Sequence, residues 1–320
     1  MTHGNQVAKV KDGYSFAPGE GVSYSNFATV IDYTEEPVPN TFDYTKNEGT
    51  NLDNYNITCE YGNLVINKIT TPLIVTADTY SKTYDGTPLT DDGITYTPNV
   101  LKGSDFVTAK NVVQKEGQPF TLQDVGQADN VVTNVKVMRR GEDATKNYTF
   151  GTHVKGSLTI TKRNITVTSE PKSFTYDGSA HSWPKASITS GTLAEGEDVT
   201  FTNFATVTTV AEGKVNNTFT VKGEGDTVLS NYEIAYIYGL IEIASIDTPI
   251  VVTAATDEKT YDGTELSNSS YTYTENVLVT GDTLTATITG SIKNAGTIKN
   301  EVSAVKVTNS DGEDVTGNYK

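Results

Sequence analysis

Short apolar, β-branched runs recur along the chain, and each is followed by the same polar turn. The runs lie at 73–76, 165–168 and 250–253, and each leads into Thr-Tyr-Asp-Gly. The tyrosines of this motif, Tyr84, Tyr176 and Tyr261, are spaced 92 and 85 residues apart. Asp tolerates turn geometry and Gly supplies positive φ at little cost. The pattern predicts a repeating β unit whose first strand ends at Tyr-Asp-Gly.

An Asn-Tyr pair closes each repeat. The series is Asn54-Tyr55, Asn147-Tyr148, Asn231-Tyr232 and Asn318-Tyr319. The first three pairs precede Gly-containing apolar segments at 61–66, 156–160 and 238–243, which predict a last strand running into the next unit. The connections are short, as at 68–72, and they contain Pro and β-branched residues. Such linkers favour a stiff array over loosely tethered domains.

Within the units, apolar and polar positions alternate with a period of two. Tyr55, Ile57, Cys59 and Tyr61 share one parity, and so do alternate residues of 131–137. Equal parity in a strand means one face of a sheet. A helical period of 3.6 is not evident, although a short helix near 295–302 stays open. The sequence predicts an all-β protein of small sheets packed on one another.

The repeats predict four domains of two alternating types. The units are 1–70 (type one), 71–162 (type two), 163–246 (type one) and 247–320 (type two). Type one shares Asn-Phe-Ala-Thr-Val at 26–30 and 203–207, and type two shares Gly-Glu-Asp-x-Thr-x-Asn-Tyr at 141–148 and 312–319. Duplication of a two-unit block explains this order. We expect an elongated array with a radius of gyration well above the roughly 20 Å of a compact chain of this length.

With these unit boundaries, the first and the last unit each lack one of the predicted strands. Unit 1 lacks the Tyr-Asp-Gly strand, and unit 4 lacks the strand that follows Asn-Tyr. We therefore interpret the chain as a segment of something longer, whose partners include neighbouring repeats. The alternative is that the deficient edges are completed in trans by strand addition, which gives head-to-tail association.

Composition narrows the class of partner. The formal charge is −16, from 40 acidic and 24 basic residues, so nucleic acid is not an expected partner. A membrane span is not expected, because no apolar run is long enough. Cys59 is the single cysteine, which suits an exported bacterial protein that does not rely on disulfides. Residues 1–4 lead into polar sequence and do not read as a signal peptide.

The ordered motifs resemble a known family. Val-Thr-Ala, then Lys-Thr-Tyr-Asp-Gly-Thr, then Gly-Glu-Asp-x-Thr-x-Asn-Tyr, then Gly-x-Leu-x-Ile is similar to the MBG/YDG-type tandem repeats of large bacterial surface proteins. The resemblance covers essentially the whole chain. It implies small Ig-like sandwich or β-grasp-like units, a cell-surface or secreted location, and service as a stalk or an adhesive array. It supplies no catalytic residues.

Several residue groups are candidates for chemistry. The segment 309–314 places Asp311, Glu313 and Asp314 in a Gly-containing turn, which is the best calcium candidate because hard cations prefer oxygen ligands. The repeated Asp85, Asp177 and Asp262 are better explained as turn residues that bond their own backbone. Lys82 or Lys259 with Asn147 or Asn318 supply the ingredients of an isopeptide cross-link, although exposed lysines and turn asparagines are the simpler interpretation.

One aromatic cluster distinguishes unit 3 from its sister unit. His181 stands where other copies carry leucine, and Trp183, the only tryptophan, follows two residues later. Aromatic faces suit sugars and protein interfaces, so His181 and Trp183 are the candidate ligand-binding residues. With three histidines and no Gly-x-Ser-x-Gly elbow, an enzyme is not expected. The sequence predicts a structural stalk, with an adhesin that binds host protein or glycan as the alternative.

Overall fold

The computed structural model describes residues 7–320, and the protein is all-β, with 43% of its residues in strands. Within this range the helices are five 3₁₀ turns, η1 to η5 (Leu52–Asn54, Thr145–Asn147, Val210–Glu212, Leu229–Asn231 and Thr316–Asn318). None of the helices described could cross a membrane. The short helix considered near 295–302 is wrong, because strand begins at Glu301 and the preceding residues are irregular. Residues 1–4, from which no signal peptide was predicted, lie outside the described residues.

The chain forms two compact units, of which the first comprises Met1–Lys82 with Pro88–Ile160. Its strands are β1 Val22–Ser25, β2 Val38–Pro39, β3 Asp43–Lys46, β4 Asn63–Leu64, β5 Ile69–Leu73, β6 Val75–Ala77, β7 Tyr80–Thr83, β8 Ile94–Tyr96, β9 Phe106–Lys115, β10 Gln118–Pro119, β11 Gly126–Arg139, β12 Glu142–Asp143, β13 Tyr148–Phe150 and β14 Gly156–Thr161. The largest sheet has the order β10-β9-β11-β14-β7. Strand β13 pairs in parallel with β5.

The second unit comprises Thr83–Thr87 and Thr161–Lys320. Its strands are β15 Arg163–Ser169, β16 Lys172–Thr175, β17 His181–Ser182, β18 Ala186–Ser190, β19 Asp198–Thr202, β20 Thr206–Val207, β21 Val215–Asn216, β22 Thr220–Glu224, β23 Tyr232–Ile237, β24 Leu240–Ala244, β25 Val252–Ala254, β26 Leu266–Ser267, β27 Tyr271–Tyr273, β28 Thr283–Thr289, β29 Ser291–Ile292 and β30 Glu301–Thr308. Two three-stranded sheets have the orders β18-β15-β23 and β16-β24-β21. In each, one neighbour pair is parallel.

Small separate cores lie between these sheets. In the first unit, Leu73, Val137 and Tyr148 belong to one buried cluster, and Val75 and Val132 belong to another. In the second unit, a larger cluster includes Tyr176, Val207, Ile241, Ile243, Leu284, Val307 and Val315. The predicted alternation in 131–137 is interrupted, because Val132 and Val137 are both buried although their parity differs. A bulge between Thr133 and Lys136 shifts the register of β11 there.

Tyr-Asp-Gly does not end the first strand, as the sequence suggested, because a second strand precedes the motif in repeats 2 and 3. In repeat 4 the strand before Tyr261 is β25, which already ends at Ala254. Strands β6 and β7 both precede Tyr84, and β15 and β16 both precede Tyr176. The predicted linker 68–72 is largely strand β5, because its backbone pairs with β13. Lys259, expected in a strand, lies in an irregular segment between β25 and β26.

Glycine opens the last strand of a repeat for a steric reason. A Cβ at Gly156 would lie 2.1 Å from the carbonyl oxygen of Asp78, and one at Gly239 would lie 2.4 Å from the Glu170 carbonyl carbon. Both backbones approach the turn between the first two strands too closely for any side chain. The glycine is therefore a packing requirement in repeats 2 and 3, whereas a Cβ at Gly62 in repeat 1 would meet nothing within 4 Å.

Candidate functional site

The same turn, with an acidic residue at its fourth position, occurs in all four sequence repeats. The turns are 17–20, 102–105, 194–197 and 279–282, and each is closed by a backbone bond from the N–H of the fourth residue to the carbonyl of the first, at 2.9 to 3.2 Å. The acids are Glu20, Asp105, Glu197 and Asp282. The turn places each carboxylate beside the tyrosine of an Asn-Tyr pair.

That tyrosine makes two hydrogen bonds to its own turn. In repeat 3 the Ala194 N–H donates to the Tyr232 hydroxyl at 2.8 Å, and the hydroxyl donates to the Glu197 carboxylate. The other three repeats have the same pair of bonds, formed by Tyr55 with Ala17 and Glu20, by Tyr148 with Lys102 and Asp105, and by Tyr319 with Val279 and Asp282. We call each such arrangement an acid–tyrosine pair.

In two pairs the carboxylate also receives the tyrosine of a Tyr-Asp-Gly motif from the preceding repeat. The Tyr84 hydroxyl donates to Glu197, and the Tyr84 ring meets the Tyr232 ring edge-on with centroids 5.6 Å apart. The Tyr176 hydroxyl donates to Asp282 at 3.1 Å, and its ring meets the Tyr319 ring edge-on at 5.7 Å. Both incoming tyrosines are buried, with 4% and 5% of their surface exposed. Each joins two sequence repeats through one carboxylate.

The Asp105 carboxylate receives an arginine and not a Tyr-Asp-Gly tyrosine. Its side chain is fully buried, and the Arg139 guanidinium bonds it in bidentate fashion at 2.7 and 2.9 Å. The same guanidinium reaches Asp32 of the preceding repeat at 3.0 Å. Arg139, which belongs to the same repeat as Asp105, thus supplies the second donor to this carboxylate and links it to the preceding repeat through Asp32.

The asparagine of the Asn-Tyr pair makes a second contact with the preceding repeat. Asn147 Oδ1 accepts the Tyr33 N–H at 2.5 Å, and Asn318 Oδ1 accepts the Val210 N–H at 2.8 Å. Asn147, Asn231 and Asn318 are buried, whereas Asn54 is exposed. Buried asparagine therefore marks the Asn-Tyr pairs that lie against another repeat.

The tyrosines are held in the neutral state. Burial, followed by the hydrogen bond to Glu197, raises the pKa of Tyr232 to about 12, and burial with Asp105 does the same for Tyr148. The pKa of Asp105 is lowered, chiefly by the Arg139 hydrogen bond. A neutral, doubly bonded tyrosine is a poor nucleophile and a good structural donor. The arrangement can join segments of chain but offers no activated group.

The calcium candidates lie in a turn that bonds to itself. Asn309 Oδ1 accepts the N–H groups of Asp311 and Glu313, and Asn309 Nδ2 donates to Glu313. Asp314 accepts the Thr316 N–H and hydroxyl, which lowers its pKa. Among the described residues no group of three or more His, Cys, Asp or Glu side chains could hold a metal. The calcium site remains a prediction.

The Tyr-Asp-Gly aspartates bond their own backbone, as expected of turn residues. Oδ1 of Asp85, Asp177 and Asp262 accepts the N–H two residues later, at 2.9 Å in each case. The isopeptide ingredients are bonded elsewhere: Lys259 Nζ lies 2.7 Å from the Thr264 hydroxyl, and Asn147 and Asn318 contact the preceding repeat.

His181 and Trp183 lie on and just after β17 and pack within their own unit. The His181 ring stacks on Phe174 with centroids 4.6 Å apart, and its Nε2 lies 2.8 Å from Asp177. The Trp183 indole N–H donates to Glu170 at 3.3 Å, and Lys172 lies over its ring. Ligand binding by these two residues stays a prediction.

Comparisons with known families, with curated proteins and with solved structures find no match to this chain.

The role of the four turn acids was not predicted from the sequence. A signal for them exists, since each follows an apolar residue by four positions, after Phe16, Leu101, Leu193 and Leu278, and Gly lies within the intervening turn. The spacing from acid to Asn-Tyr tyrosine is 35, 43, 35 and 37 residues, which hides the pairing from a fixed-period search.

Proposed function

We propose that this chain is a non-catalytic structural segment of a bacterial surface or secreted protein, in which tandem β-repeats form a stalk. The observation that carries the proposal is the acid–tyrosine pair, which recurs in all four repeats and receives a side chain of the preceding repeat at Glu197 and Asp282. A stalk must hold its repeats in fixed relation, and buried hydrogen-bonded side chains at each junction do so.

The chemistry of the pairs favours a mechanical role over a reactive one. The tyrosines have raised pKa values because they are buried and bonded to carboxylates. The extracellular location is supported by the resemblance of the ordered motifs to surface-protein repeats and by the acidic composition with a single cysteine.

Single-molecule energy transfer tests the stiffness that a stalk requires. In a Cys59→Ser background, dyes are attached through cysteines at Asp226 and Lys293, two exposed positions within the second unit. We expect a narrow transfer-efficiency distribution that broadens when Tyr176→Ala removes the tyrosine bonded to Asp282. Tyr273→Phe, at a position 39% exposed, serves as the control and should change nothing.

A broad distribution in the unaltered protein would contradict the stalk proposal, because the repeats would then move independently. A narrow distribution that Tyr176→Ala leaves unchanged would place the stiffness elsewhere than in the acid–tyrosine pair, and would remove the observation on which the proposal is based.

A further inference from the structure

The three Tyr-Asp-Gly tyrosines differ sharply in exposure. Tyr84 and Tyr176 are 4% and 5% exposed, whereas Tyr261 is 65% exposed. Tyr84 and Tyr176 reach carboxylates of the following repeat, but the Tyr261 hydroxyl makes no hydrogen bond to residues 7–320. Within residues 7–320, Tyr261 is therefore an exposed aromatic donor of the kind that is buried in the other two copies.

The turn that carries Tyr261 is nevertheless already shaped as in the docked copies. Asp262 Oδ1 accepts the Thr264 N–H at 2.9 Å, which matches the Asp85 to Thr87 bond. The glycine φ values are similar, with 78° at Gly263 against 81° at Gly86 and 79° at Gly178. Asp262 is held ionised by these bonds, which lower its pKa to about 2. Docking of this turn therefore needs little local rearrangement.

The Glu20–Tyr55 pair has a carboxylate that can accept a further donor such as the Tyr261 hydroxyl. Besides the tyrosine of their own pair, Glu197, Asp282 and Asp105 each accept a second side-chain donor, from Tyr84, Tyr176 and Arg139 respectively. Within residues 7–320, the Glu20 carboxylate is bonded by the Tyr55 hydroxyl alone. Tyr55 is half-buried and Asn54 is exposed, whereas the asparagine before each of the other three tyrosines is buried.

We propose that the Tyr261 turn of one chain docks on the Glu20–Tyr55 pair of a second copy. The hydroxyl of Tyr261 donates to Glu20, and its ring meets the Tyr55 ring edge-on, as in the two junctions within the chain. The inference rests on the proposed function, since it extends the same junction from one chain to the next. The two contributing surfaces lie on different repeats, so the contact is heterologous and builds open-ended or ring assemblies.

The partner is a second copy for two reasons of chemistry. The docking side chain is an aromatic donor, and the open site offers a carboxylate acceptor with an aromatic wall, so the two surfaces match. The same contact between two tyrosine rings already forms twice within this chain, between Tyr84 and Tyr232 and between Tyr176 and Tyr319. Association must overcome the repulsion of chains with a net charge of −16, so it is favoured by physiological salt.

Sedimentation equilibrium of the full chain from about micromolar to millimolar concentration tests the proposal, since contacts of this size bind weakly. We expect the weight-average mass to rise with concentration. Tyr261→Ala should weaken association at least about tenfold. Tyr80→Ala, which removes another exposed tyrosine, is the matched control and should leave association unchanged.

Mixing two variants separates this contact from any other. Tyr261→Ala keeps the open pair, and Glu20→Lys keeps the exposed tyrosine, so each alone should show the same weakened association. The mixture should form dimers and stop there, because each partner supplies one half of a single contact. Circular dichroism of both variants confirms that they are folded before mixing.

Two outcomes overturn the proposal. A chain that stays monomeric to millimolar concentration excludes docking by a second copy, and equal association by Tyr261→Ala assigns the contact to another surface, such as the strand edges. Neither result affects the stalk proposal, which depends on Tyr176 inside one chain. A broad energy-transfer distribution in the unaltered protein would instead reject the stalk proposal alone.

Discussion

The hydroxyl of Tyr232 accepts one hydrogen bond and donates another, so replacing it with hydrogen leaves two partners unmatched. The donor it receives is the Ala194 N–H, and the acceptor it serves is the Glu197 carboxylate. Both lie beside a tyrosine that is 2% exposed, where water cannot readily substitute. The ring packs against Tyr84, so tyrosine at this position combines apolar burial with two polar bonds.

Tyr232→Phe is expected to lower the free energy of unfolding by about 1–3 kcal/mol, because it removes a hydrogen bond to a charged group and leaves a buried donor unsatisfied. Urea denaturation measures the change. Tyr273→Phe, in the same unit but 39% exposed, should stay within about 0.5 kcal/mol of the parent. Equal effects of the two substitutions would show that the hydroxyl of Tyr232 contributes nothing specific.

Alkaline pH provides a second test at the residue scale. The folded-state pKa of Tyr148 and of Tyr232 is about 12, above the ordinary value of 10.0. Between these values the unfolded chain loses protons that the folded chain keeps, so the free energy of unfolding falls as pH rises from about 10 to 12. Below pH 10 the contribution is complete. Tyr232→Phe should make the free energy of unfolding fall less steeply with pH. An unchanged slope would contradict the raised pKa of Tyr232.

At the scale of elements, buried asparagines tie the ends of strands together. Asn217, fully buried after β21, donates from Nδ2 to the Glu170 and Trp183 carbonyls at 3.1 and 2.9 Å. The fully buried Asn130 and the half-buried Asn300 make the same two-carbonyl contact in repeats 2 and 4. Each amide satisfies backbone acceptors at strand ends that have no ladder partner.

Asn217→Asp should therefore be strongly destabilising at neutral pH, by more than about 2 kcal/mol, because a carboxylate would face two carbonyl oxygens in a buried site. The folded state favours the protonated acid, so the loss should shrink as pH falls towards 4. Thermal unfolding across this range measures both effects. Asn216→Asp, at the adjacent exposed position, is the matched control. A pH-independent loss would show that charge is not the cause.

The sequence predicted the β-class and the Tyr-Asp-Gly turns because both depend on local pattern. Period-two alternation and the Asp-Gly turn are readable within a few residues. The parallel pairing of β15 with β23 was not predicted, because it joins residues nearly 70 positions apart. The acid–tyrosine pair was missed for the same reason, since Glu197 and Tyr232 are brought together only by the fold. The predicted alternation fails in β11, because the bulge inserts one residue and so changes which positions face the core.

At the scale of the molecule, the acids Asp105, Glu197 and Asp282 each receive a further side chain where two repeats meet, and the two units use different residues for it. Arg139 bonds the fully buried Asp105 and also Asp32, whereas the second unit uses neutral tyrosines at Glu197 and Asp282. A tyrosine leaves the negative charge in place, and an arginine cancels it. The two units should therefore respond differently to loss of their bridging side chain.

Arg139→Gln is expected to destabilise the first unit by about 3–5 kcal/mol, because the Asp105 carboxylate is left buried without its counter-charge. Hydrogen exchange should show faster opening in β9, β11 and β13, with amides of the second unit unchanged. Adding Asp105→Asn should recover much of the loss, since the residual charge is then gone. Arg140→Gln, next in sequence and exposed, controls for removal of a positive charge. If the double variant were no more stable than Arg139→Gln, the buried charge would not be the cause. The ion pair would then matter through its packing alone.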